Sequence, residues 1–189
     1  MNELLNKYKH IFNDTSNENL IILLILISSS VFFFILSKTK VGRSTFLFFF
    51  TFPGTIIHEF LHFLLGILFL AQPASFSLFP KREDNGWTLG SVEFYNINSF
   101  NAIPIAMAPL LAPILLLISF PYIYEYISMQ ENSILLTTTY GFVLISILSE
   151  CIPSSQDFKV MFSKPFGFIF YFVIGYVLIE NFEEMKELI

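Results

Sequence analysis

The sequence predicts an all-α polytopic membrane protein with about five transmembrane helices and a β-hairpin between the second and third. Three observations lead there. Over 189 residues the hydrophobic share is 54% and the charged share only 13%, too apolar for a water-soluble domain and too patterned for a disordered chain. The 25 phenylalanines and a mean hydropathy of +0.68 suit surfaces that acyl chains, not water, must solvate. The apolar residues also fall into long runs separated by short polar segments, and a single stretch alternates at period two.

Residues 1–19 form a polar leader in which Leu4, Leu5, Tyr8 and Ile11 recur at helical spacing, the pattern of a helix lying at a membrane surface. The first apolar run, Leu20 to Leu36, lacks a small-residue cleavage site, and Lys38, Lys40 and Arg43 follow it as a stop-transfer signal does. It therefore reads as a retained transmembrane helix. The second run extends from Ser44 to Ala71; at about 1.5 Å per residue it crosses a hydrocarbon layer of roughly 30 Å.

Between Gln72 and Asn101 the period changes. Ser75 to Phe79 alternates, a polar turn follows at Lys81 to Gly86, and Trp87 to Tyr95 alternates again, which predicts a β-hairpin. Bare strand edges are forbidden in lipid, so the hairpin belongs at the interface or beside a wet cavity. Its edge offers an extended peptide a place to pair.

The third run, Ala102 to Tyr124, reads as a helix kinked by Pro104, Pro109, Pro113 and Pro121, with Ala106, Ala108 and Ala112 permitting close helix approach. The fourth, Ile134 to Leu148, is stopped by Pro153. The fifth, Phe166 to Ile179, leads into an acidic tail over residues 181–189. Residues 20–180 thus form a single membrane-embedded domain. The positive-inside rule puts Lys38 to Arg43 on the cytoplasmic side, but Lys81, Arg82, Lys159 and Lys164 then lie opposite, so the charges do not choose an orientation.

Several function classes fall away. A net charge of −5, part of it in the C-terminal glutamates, argues against a nucleic-acid partner. The single cysteine, Cys151, allows neither a disulfide framework nor a cysteine-based metal cluster; it reads as a small buried hydrophobe. Without an internal repeat or a path of charges, a transporter has little support.

What remains is His58-Glu59-Phe60-Leu61-His62, near the middle of the second run. Histidines four apart on a helix project from one face and can converge on one Zn²⁺, giving one zinc per chain. Glu59, beside the first ligand, is placed to take the proton of a water that the metal acidifies. Ionisable residues at this depth cost at least a few kcal/mol each, so their presence points to a function. A catalytic zinc needs a third protein ligand. Asp157 is the choice, because Pro153-Ser154-Ser155-Gln156-Asp157 breaks a membrane run and can turn a carboxylate back into the bundle; Glu150 is the competitor. Asn98 and Asn101, with Asn96, are candidate contacts for a substrate backbone or oxyanion.

The stretch Phe52-Pro53-Gly54-Thr55-Ile56-Ile57-His58-Glu59-Phe60-Leu61-His62, followed later by Pro153 to Asp157, resembles the site-2 protease family of intramembrane metalloproteases. The resemblance covers roughly Thr51 to Asp157, and Ala108-Pro109-Leu110 is similar to a proline segment of that family. It implies a zinc endopeptidase of the cell membrane that cleaves a membrane-anchored protein. The chain departs from better-known members where Phe158, not glycine, follows Asp157, and it has no PDZ-like insertion. Two other readings stand beside this one: an inactive or non-proteolytic membrane protein with a structural metal site, and a gluzincin-type membrane protease that uses Glu150.

Overall fold

A computed structural model describes residues 1–13, 45–78, 81–83, 86–88, 90–130 and 133–187, with isolated positions at 28, 29, 32 and 35. The first predicted span, Leu20 to Leu36, lies essentially outside the described residues.

The leader forms helix α1, Asn2–Asn13, and its apolar spacing is used: Tyr8 stacks on Phe120, and its hydroxyl donates to the Leu117 carbonyl. The second run becomes α2, Thr45–Leu68, of which Phe50–Leu68 is long and apolar enough to cross a membrane. It ends in a left-handed turn. The N–H of Ala71 reaches back to the Gly66 carbonyl at 2.8 Å while Leu70 takes φ 57, so the last carbonyls are satisfied without a glycine.

The predicted hairpin is present but differently divided. Strand β1, Pro73–Ser77, pairs antiparallel with β4, Ser91–Phe94. The segment expected to be a polar turn instead holds a second antiparallel pair, β2, Lys81–Glu83, with β3, Gly86–Thr88. The β1–β4 sheet lies on α2, where the Phe94 ring occupies the space beside Gly66; a Cβ there would sit 2.1 Å from it.

The third run is not one kinked helix. It divides into α3, Ala102–Ala106, a 3₁₀ turn at Ala108–Leu110, and α4, Leu111–Ser128. Proline explains the break, since Pro109 can neither donate to the helix nor fit against the carbonyl four residues back. Residues Ala108–Ser128 still suffice for a crossing. Helix α5, Ser133–Glu150, stops ahead of Pro153 as predicted, and α6, Ser155–Phe162, leaves at a bend of 43°. Helix α7 spans Phe166–Glu187, but its apolar part, Phe166–Asn181, falls short of a full crossing at about 1.5 Å per residue. Among the described residues, then, two helices are long and apolar enough to span a membrane, or three if α5 and α6 form one broken span. The sequence predicted about five.

The core is small and sits where α2, α4 and α5 meet: Leu61, Ala108, Ala112 and Ile147 are buried together, flanked by Ile57, Leu116, Val143 and Cys151. Much of the remaining apolar surface, such as Leu117, Phe172 and Leu178, faces outward, an arrangement suited to lipid and costly in water. Gly54 sets the closest approach. Its N–H donates to Ser146 Oγ at 2.8 Å, and a Cβ at this position would meet the Ser146 carbonyl oxygen at 2.1 Å. Gly54→Ala should therefore force α2 and α5 apart and destabilise the fold by about 2–3 kcal/mol, whereas Ser146→Ala, which removes one hydrogen bond, should cost about 1 kcal/mol. Denaturation in detergent measures both; equal losses would refute the steric account.

Candidate metal centre

Helix α2 presents His58 and His62 one turn apart on the face that packs against the other helices, 9% and 5% exposed. Their Nε2 atoms lie 3.1 Å from each other. Asp157, arriving on α6 from far along the chain, places Oδ2 3.5 Å from His58 Nε2 and Oδ1 3.2 Å from His62 Nε2. One ligand atom from each residue lies within 4.8 Å of the others, so the group could hold a metal ion.

The separations carry chemical information. Ligands about 2.0–2.1 Å from a common tetrahedral centre stand about 3.3 Å apart, and the edges here are 3.1, 3.2 and 3.5 Å. Lone pairs facing one another at such distances repel unless a positive centre lies among them.

Each histidine is held by its other nitrogen. His58 Nδ1 lies 2.6 Å from the Glu150 carbonyl oxygen and His62 Nδ1 lies 2.8 Å from that of Ile105. A carbonyl can only accept, so both Nδ1 atoms carry the proton and both Nε2 lone pairs face the carboxylate.

Asp157 is fixed by a capping box at the start of α6. Its N–H donates to Ser154 Oγ at 3.2 Å, and the Ser154 N–H donates to Asp157 Oδ2 at 2.6 Å. This exchange also serves His58. In a continuing helix the Ser154 N–H would bond the Glu150 carbonyl, four residues back. Because Asp157 takes that N–H, the Glu150 oxygen is left for the imidazole. The Ser-x-x-Asp spacing over 154–157 is a capping signal legible in the sequence, and it marks the aspartate's position more sharply than the proline break does.

Glu59 stands on α2 beside the triad and makes no hydrogen bond or ion pair among the described residues. Its side chain lies against Gly90, just before β4; a Cβ on Gly90 would sit 2.7 Å from Glu59 Cγ. Glu150, the competing ligand, contributes its backbone oxygen, and its carboxylate is not part of the triad. Cys151 packs beside the core, with its thiol donating to the Leu148 carbonyl.

The asparagines have a different role from the predicted substrate contacts. Asn101 is fully buried; its Oδ1 accepts from the Asn98 N–H, and its Nδ2 donates to the Asn96 and Phe69 carbonyls. Asn98 Oδ1 accepts from the N–H groups of Phe100 and Asn101. Both side chains are committed to the turn that leads into α3. Asparagines bond their own backbone readily, and sequence alone does not separate that use from binding.

The chain matches no family model, no curated protein and no solved structure.

Replacing His58, His62 or Asp157 by alanine should lower the bound metal of the purified protein from one per chain to less than about a tenth of that. Glu150→Gln, which keeps the backbone carbonyl, should leave it unchanged. Ser154→Ala, which removes the hydroxyl that accepts the Asp157 N–H but keeps the Ser154 N–H on the carboxylate, should weaken metal affinity no more than about 10-fold. Metal analysis by mass spectrometry and chelator competition reads all of these; loss of metal in Glu150→Gln alone would overturn the assignment.

Proposed function

We propose that the protein is a zinc-dependent intramembrane endopeptidase that hydrolyses a peptide bond of a membrane-anchored protein, in the manner of the site-2 protease family it resembles. The observation that carries this reading is the triad of His58, His62 and Asp157, two of them on a membrane-length helix, with Glu59, which makes no hydrogen bond or ion pair among the described residues, beside it. Two neutral imidazoles and one carboxylate suit zinc, and three protein ligands leave a position open, as catalytic zinc sites do and structural ones do not. Zinc held by these residues would act as a Lewis acid and acidify a water.

The chain's own residues do the rest. The Ile105 and Glu150 carbonyls each accept from an Nδ1–H and so aim both Nε2 atoms at the site. Glu59 takes the proton of the attacking water on a carboxylate oxygen and passes it to the leaving amine. Because Gly90 brings the start of β4 against Glu59, an extended peptide paired along the sheet edge would lie beside that carboxylate, which favours β-augmentation as the mode of substrate capture. The same reading makes the chain a multi-pass protein of the cell membrane, with Phe50–Leu68, Ala108–Ser128 and the broken fourth run among its crossings.

Glu59→Gln should reduce cleavage of liposome-embedded transmembrane peptides at least about 100-fold while leaving one zinc per chain, read by mass spectrometry of products and by metal analysis. Unimpaired cleavage in that variant, or wild-type protein that binds no zinc, would sink the proposal.

A further inference from the structure

Among the described residues, three of the four prolines of the third run, Pro104, Pro109 and Pro121, share a pattern that the metal chemistry does not itself require. In a helix the carbonyl of one residue accepts from the N–H four positions on, and proline has no N–H to give. Pro121 thus leaves the Leu117 oxygen open, and Tyr8 of α1 donates to it. The Phe100 oxygen, four residues ahead of Pro104, accepts from Tyr171 at 2.5 Å. Pro109 stands in the same relation to Ile105, whose oxygen receives His62 Nδ1 at 2.8 Å.

The third case differs in its surroundings. Ile105, Ala108 and Pro109 are all buried, so water does not reach the Ile105 oxygen; one of its lone pairs takes a backbone N–H at the end of α3, and the other meets the His62 ring. The chain breaks at this point from α3 into the 3₁₀ turn at Ala108–Leu110, which lets the Ile105 carbonyl turn off the helix line toward α2. We propose that Pro109 is a positioning residue for the metal site: by withholding the N–H that a continuing helix would aim at Ile105, it keeps one lone pair of that carbonyl, beside the one used by the α3 cap, for holding His62 in the tautomer whose Nε2 faces His58 and Asp157. The inference rests on the metal-site reading but not on proteolysis.

An N–H restored at position 109 would draw the Ile105 carbonyl back into a helical bond and loosen His62. Pro109→Ala should therefore weaken zinc affinity about 10–100-fold, measured by chelator competition on the full chain in detergent, with the melting transition little changed. Replacing Pro109 by the α-hydroxy acid analogue of alanine, which has neither ring nor N–H, should restore affinity to within about threefold of wild type. In metal-free wild-type protein, ring-nitrogen NMR of His62 should show the proton on Nδ1. Wild-type affinity in Pro109→Ala, an ester variant as weak as the alanine variant, or a proton on Nε2 would each overturn the inference. Should Pro109→Ala fail to fold, the ester variant and the wild-type NMR still decide it. Wild-type protein that binds zinc but fails to cleave peptides would count against the proposed function alone.

Discussion

Everything at the candidate site depends on two backbone oxygens that have lost their helical partners. In an apolar surrounding a peptide carbonyl must find a donor, because no water competes for it. The Glu150 oxygen, at the end of α5, and the Ile105 oxygen, at the break after α3, both find one on a histidine ring. A need of the backbone thereby becomes a restraint on side chains. An imidazole that rotates or changes tautomer gives up its bond to a buried carbonyl, so the arrangement of the triad is tied to the helix breaks themselves.

The second requirement is proximity. Two helices bearing parts of one site must approach more closely than large side chains permit, and the Gly54–Ser146 contact brings α2 against α5 so that the end of α5 lies level with His58. Just beyond that end, the capping box turns Asp157 inward. Helix contact, helix termination and ligand placement follow one another along the chain, each setting the geometry of the next. On the opposite flank, Gly90 allows the sheet to close over Glu59, so packing helps to position the glutamate.

This hierarchy explains what could be read from sequence and what could not. His58, Glu59 and His62 were legible because a four-residue spacing on a helix fixes a shared face, and Asp157 because a proline break followed by a carboxylate stands out in an apolar chain. The strands were legible in period but not in partition: short polar residues around Lys81 to Gly86 pair as readily as they turn. Length and apolarity suggested more crossings than the described helices support: the first run, Leu20 to Leu36, lies essentially outside the described residues, the apolar part of α7 is short, and the fourth run counts only if α5 and α6 form one broken span. Asn98 and Asn101 looked like binding residues because their polarity was visible, while the hydrogen bonds that both make to the local backbone and the burial of Asn101 were not. The supporting carbonyls were invisible, since a backbone oxygen leaves no mark on the residue that carries it.

The division of the triad between α2 and α6 also bears on biosynthesis. His58 and His62 are made long before Asp157 reaches the membrane; at ordinary elongation rates of about 5–20 residues per second, that interval is on the order of ten seconds. Throughout it the nascent chain holds two ligands and a glutamate but no complete site. A metal captured early would be held by the histidines alone and exchanged easily. If the triad holds a metal, secure loading would wait for α5 and α6 to fold against α2, so a chain cut short before Ser154 would carry the two histidines without the third side chain of the group.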